Sequence, residues 1–190
     1  MGTFTLFQQG ITAALTADTA AYTMGVQFSV SGPGTLAATW FYSASGAVNL
    51  PDHITLFRVS DGFQLARQAA AWSGAVGSGW VRAAWPAPPV LAAGVAYKAC
   101  IESTGGANFY SSIAHYWDSG AGQNGISNGP LSAPNNAGGD HGQDTFFAGT
   151  PPNYPTSSFN ATNYMIDPEV NVVLGGDDGG YSLLALMGVL

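Results

Sequence analysis

Four aromatic residues, Phe109, Tyr110, Tyr116 and Trp117, flank His115 and Asp118 just ahead of a Gly-rich stretch. A sugar ring needs apolar contact on one face and hydrogen bonds at its edge, and flat aromatic faces beside neutral polar groups supply both. Tyr110, His115, Tyr116, Trp117 and Asp118 are therefore the candidate glycan-binding residues. A second reading of the same rings stays open, in which they are core residues at a sheet corner and hold no ligand.

Other spacings suggest chemistry and then lose it in context. Asp167 and Glu169 stand two positions apart, so on one strand face their carboxylates would sit ~7 Å apart, a separation that could suit a glycosidase pair. Pro168 and the expected exposure favour an ordinary edge strand instead. Asp140-His-Gly-Gln-Asp144 puts two carboxylates and an imidazole in one loop. The oxygen ligands that calcium takes are not visible locally, so a solvated polar loop is the favoured reading. Gly120-Ala-Gly-Gln-Asn-Gly125 matches a dinucleotide fingerprint, but Ile126-Ser-Asn-Gly-Pro130 cannot open the helix that the fingerprint requires. His53, His115 and His141 lack zinc-ligand spacing. Cys100, the only cysteine, sits in the apolar run Tyr97-Lys-Ala-Cys-Ile101 and reads as a small core residue. The expectation is a protein without enzymatic activity, cofactor or metal.

Composition supports a binding or assembly role. Charged residues make up 8% of the 190 positions, against about 25% in an ordinary soluble domain. The surface must therefore be built from Gly, Ser, Thr, Asn, Ala and aromatic residues, which bind by shape, stacking and neutral hydrogen bonds. The formal charge is −7, and Arg58, Arg67, Arg82 and Lys98 are the only cationic Lys or Arg residues. That balance disfavours nucleic acid and anionic membrane surfaces. No stretch approaches the roughly 20 apolar residues of a spanning helix, so no membrane insertion is expected. The start, Met1-Gly-Thr-Phe-Thr-Leu-Phe7, lacks the basic and apolar regions of a secretory signal. A surface-type β domain of this kind is expected to reach the outside by lysis, in a virus particle or through an injection machine.

These residues need a scaffold, and the patterning predicts one of short strands. Tyr22–Val30 alternates, with Met24, Val26, Phe28 and Val30 on one face, and Ser31-Gly-Pro-Gly34 breaks it. Further strands are predicted at Thr35–Tyr42, with Leu36, Ala38, Trp40 and Tyr42 on one side, and at His53–Val59, Phe63–Ala70 and Gly79–Trp85. Tyr97–Glu102, Ala107–Ser111 and Tyr164–Val173 complete the set. Trp40 and Met24 are expected between the two sheets. The fold class is all-β, an antiparallel sandwich of Greek-key or jelly-roll type with long Gly/Asn-rich loops between Asp118 and Asn160. The predicted organisation is a sandwich over 1–174, a Gly-rich linker over 175–180 and an apolar tail over 181–190. Tyr181, Leu183, Leu184, Leu186, Met187 and Leu190 are the candidate partner-anchoring residues of that tail.

Several landmarks in one order resemble a known family. They are Tyr22-Thr-Met-Gly-Val-Gln-Phe28, Trp40-Phe-Tyr42, Gly79-Trp80 and Pro89-Val-Leu-Ala-Ala-Gly-Val-Ala-Tyr97, followed by Asn128-Gly-Pro-Leu131, Tyr154-Pro155 and Asn163-Tyr164-Met-Ile-Asp-Pro-Glu-Val170. The chain is similar, over about residues 4–173, to a β-sandwich domain of unknown function. That domain is attached to bacterial cell-surface and carbohydrate-active proteins and occurs in actinobacterial phage minor tail proteins. The resemblance implies an adhesive role with glycan binding and supplies no catalytic residue. With no secretory signal, the phage-type members are the nearer comparison. The expected protein is a virion component exposed on the particle surface, in a minor tail or a capsid decoration. Its expected partners are other virion proteins or copies of itself, and host cell-wall glycan. The alternative is a free carbohydrate-binding module of a bacterial cell surface.

Overall fold

A computed structural model describes residues 1–7, 10–18, 20–105 and 108–173. The linker and tail predicted from residue 175 onward, including all six anchoring candidates, lie outside the described residues. The strands are β1 (Gly2–Phe4), β2 (Ala14–Asp18), β3 (Tyr22–Val30), β4 (Gly34–Ser43), β5 (His53–Arg58), β6 (Gln64–Ala69), β7 (Trp72–Ser73) and β8 (Gly79–Ala84). They continue with β9 (Val90–Leu91), β10 (Ala96–Ser103), β11 (Asn108–Ser112), β12 (Ile126–Asn128), β13 (Leu131–Ala133), β14 (Asp144–Ala148) and β15 (Ile166–Val172).

Two antiparallel sheets form the sandwich. One runs β1-β15-β4-β8-β7, with β9 also paired to β4; the other runs β12-β13-β3-β10-β5-β6, with β14 also paired to β3. A two-stranded ribbon joins β11 to β2. The core lies between the sheets. Leu36, Phe41, Val81, Ile166 and Val170 come from one, and Met24, Val26, Phe28, Leu56 and Ile101 from the other. The all-β sandwich follows from alternating patterns that give each strand one apolar face to bury.

Two expectations about strand faces need correction. Trp40 is not between the sheets. Ala38 pairs with Glu169 while Leu36 pairs with Val170, leaving Ala37 unmatched in a β-bulge. The extra residue inverts the alternation beyond it, so Thr39, Phe41 and Ser43 turn inward. Trp40 faces outward and half-buried, donating its indole N–H to Glu169 at 2.8 Å. The guanidinium of Arg82 lies 6.0 Å from the Trp40 ring centre. Nor is β15 an edge strand. It is paired on both sides, by β1 and β4, and Asp167 is fully buried.

The second sheet is covered on its outer face as well. Lys98 Nζ donates to the main-chain oxygens of Asp140 and Pro155 at 2.8 and 3.2 Å and lies 4.7 Å from the Tyr154 ring centre. The segments on either side of β14 that carry those residues thus meet over Lys98 of β10. Between β3 and β10 a Cβ on Gly25 would collide with Cys100 Sγ. Cys100 is fully buried, as its sequence context predicts, and burial pushes its thiol well above the usual range.

Candidate functional site

The structure separates the five predicted glycan-binding residues. Trp117 is fully buried and Tyr116 nearly so, and both pack on Phe7 with ring centres 6.0 and 5.9 Å away. Their faces are core surface rather than a stacking platform. His115 and Asp118 are exposed and pair with each other, Nδ1 to Oδ2 at 3.2 Å. That hydrogen bond holds the Asp118 carboxyl below its usual range. Of Phe109 only the backbone in β11 is described. Tyr110 opens onto a cavity.

That cavity is an aromatic cleft of about 170 Å³ lined by Tyr22, Tyr110, Phe146, Phe159 and Tyr164. Asp18 and buried Met24 line it too. Strand register explains the convergence. Opposed residues of an antiparallel pair share a face, and Phe146 of β14 stands opposite Met24 of β3, with Ala148 opposite Tyr22. The ribbon β2–β11 brings Asp18 and Tyr110 to the same end of the sandwich. Ring pairs are steeply inclined: Tyr22–Tyr110 at 81°, Tyr110–Tyr164 at 76° and Phe146–Tyr164 at 78°, with centres 5.9, 5.7 and 6.2 Å apart. Phe159 is 62% exposed and forms part of the mouth.

The segment supplying Phe159 and Tyr164 is conformationally constrained. Asn160, Ala161 and Met165 adopt φ of 50°, 43° and 59°. Such backbone costs energy for non-glycine residues and persists where neighbours over-determine it. Here the 113–117 segment does so. His115 N–H donates to Asn160 O at 2.7 Å, Trp117 N–H to Ala161 O at 3.1 Å, and Ile113 N–H to Asn163 O at 2.9 Å. Behind the cleft, the Asp144 carboxyl accepts the Tyr164 amide at 2.9 Å. Burial pushes Asp144 up to about 8, and the Trp117 indole lies near it without closing a well-formed hydrogen bond.

Charge in the cleft is one-sided. Burial, together with the nearby Asp18 carboxylate, raises the phenols of Tyr22 and Tyr110, so both stay neutral. All four Lys and Arg side chains are engaged elsewhere: Arg58 with Asp61, Arg67 with Glu102, Arg82 with Glu169 and Lys98 with Asp140. None lines the cleft.

The other candidate sites resolve into structural contacts. Asp167 accepts the amides of Leu6 and Phe7, whereas Glu169 binds Arg82 and Trp40. Burial raises Asp167 to about 7 and Arg82 lowers Glu169, a split that would suit an acid and a base. Yet Asp167 is sealed beneath the Leu6–Phe7 backbone, which leaves no room for a sugar beside it. Within the 140–144 loop, Asp140 faces Lys98 and the Tyr154 hydroxyl, while Asp144 is buried against Tyr164. Among the described residues no group of three or more His, Cys, Asp or Glu side chains could hold a metal ion.

The family described as Domain of unknown function (DUF4082) matches residues 9–166. The chain belongs to this family. The match takes in every residue that lines the aromatic cleft. No curated protein matches the chain.

Sequence reasoning found Tyr110 but not its companions. Met24 and Tyr22 read as ordinary strand residues, and Phe146 and Phe159 fall within the stretch read as long Gly/Asn-rich loops. An exposed Phe159 within a polar stretch was the one local signal that could have pointed here.

Proposed function

We propose that this protein is a non-enzymatic adhesion module that binds a saccharide of a bacterial envelope in its aromatic cleft, and that it is carried on a phage particle as a minor tail or capsid-surface component. The observation that carries the binding reading is a cleft lined by five aromatic residues and Asp18, with Phe159 exposed at its mouth and Tyr22 and Tyr164 nearly buried within it. Apolar sugar faces stack on such rings, while phenol and carboxylate groups accept and donate at the ring edge. The low charged-residue content and the resemblance of the sequence landmarks to a domain that also occurs in phage minor tail proteins support the virion setting. Anchoring to other virion proteins, or to further copies, is assigned to the apolar segment 181–190.

Binding of the full chain and of Phe159→Ala to purified host cell walls tests the cleft. Phe159 is exposed, so its loss leaves the fold intact, and cell-wall retention is expected to drop at least tenfold. Equal retention of the two forms would refute the reading. Mass spectrometry of purified particles tests the setting. The chain is expected among the virion proteins, and removal of residues 175–190 is expected to abolish its incorporation.

A further inference from the structure

Behind the exposed ring of Phe159, on which a sugar face can stack, the inclined rings of the cleft suit a compact, roughly spherical cation. A sugar stacks on one broad exposed face, whereas Tyr22, Tyr110, Tyr164 and Phe146 stand in succession at 76–81° to one another. All four line the same cavity, so a small group held there lies within reach of more than one ring. Each aromatic face carries partial negative charge and attracts an onium group within about 6 Å of its centre. Asp18 adds a full negative charge at the same cavity, and none of the four Lys and Arg side chains lies there to neutralise it. The volume of about 170 Å³ has room for a trimethylammonium group and its attached carbons.

We propose that the cleft recognises an organic ammonium group, quaternary or protonated, carried by the envelope polymer to which the protein binds. This rests on the reading of the cleft as the adhesion site and specifies the chemistry it selects. Two sources share that chemistry: a choline-type substituent and the free amine of an amino sugar. Desolvated aromatic rings favour the quaternary form, because it has no N–H groups whose hydrogen bonds to water must be given up.

Isothermal titration of the full chain with choline, and with the neutral carbon isostere in which a tert-butyl group replaces trimethylammonium, tests the charge requirement. Choline is expected to bind roughly tenfold more tightly than the isostere. Asp18→Asn retains an oxygen for the Ala20 amide that Asp18 now accepts at 2.9 Å, and it should weaken choline about fivefold while leaving the isostere unchanged. Phe159→Leu keeps apolar area but removes the ring, and should act in the same direction. Glucosamine titrated against N-acetylglucosamine separates the two sources: preference for the free amine assigns the amino sugar, and binding of choline alone assigns the quaternary substituent. Circular dichroism of each variant checks that the fold is retained. Equal affinity for choline and its isostere, or no binding of any ammonium probe, overturns the inference. If cell-wall retention is then still lost in Phe159→Ala, the saccharide reading survives; if retention is also unchanged, both fall.

Discussion

The carboxylate of Asp167 accepts the backbone amide of Leu6 at 2.6 Å, across 161 positions of sequence. Its second oxygen accepts the Phe7 amide at 3.0 Å. One buried side chain in β15 thereby fixes the N-terminal segment, and with it Phe7, which packs on Trp80, Tyr116 and Trp117. Removing that acceptor leaves two buried N–H groups without it. Asp167→Ala is expected to cost about 2–4 kcal/mol in chemical denaturation. Asp167→Asn keeps one acceptor oxygen and should cost less. Equal stability of Asp167→Ala and the parent would show that the segment is held without it.

Stability is expected to fall as pH rises from 5 to 8. Burial holds Asp144 at about 8 and Asp167 at about 7 in the folded chain, whereas an unfolded Asp titrates near 3.9. Between these values the folded state keeps protons that the unfolded state has released. Each such proton makes stability decline by up to about 1.4 kcal/mol per pH unit. The carboxyls of Asp61, Asp118 and Glu169 are lowered, so their opposite effect falls below this window. A melting temperature roughly 5 °C or more higher at pH 5 than at pH 8 is the expected result. Asp144→Asn should flatten the profile, and a parent profile rising with pH would contradict the assignment.

Two tryptophans should respond in opposite order to their sequence expectation. Trp117 is fully buried, so Trp117→Ala should cost about 3–5 kcal/mol and reduce ligand binding only through loss of structure. Trp40 is half-exposed and makes one hydrogen bond to Glu169. Trp40→Ala should cost about 1–2 kcal/mol. Denaturant midpoints of the two variants in the same buffer decide the order.

Gly25 and Cys100 should be energetically coupled. Gly25→Ala alone is expected to cost about 1–3 kcal/mol through overpacking against the buried sulfur. Cys100→Ala removes that sulfur and should recover part of the loss in the double variant. Additive costs in the double-mutant cycle would mean that the Ala99 carbonyl, 3.2 Å from the added carbon, sets the limit instead.

Patterning in the sequence determined β3, β5, β8 and β10 to within a residue or so at each end, because each alternates between apolar and polar positions and is bounded by Gly, Pro or Asp-Gly turns. It also determined the all-β sandwich, through the absence of any helical period, and the buried character of Cys100. Strands of two or three residues, such as β1, β9 and β12, escaped notice because so short a run carries no readable period. Only the tertiary structure decided the outward turn of Trp40, since a bulge is a mismatch between two strands and neither strand records it alone. The cleft belongs to the same class. Asp18, Tyr22, Tyr110, Phe146, Phe159 and Tyr164 come from segments far apart in the chain, and local preference does not say which of their rings share a face. Strand register and the strained 160–165 backbone make that choice, because both are settled by pairing between distant segments rather than by neighbours in sequence.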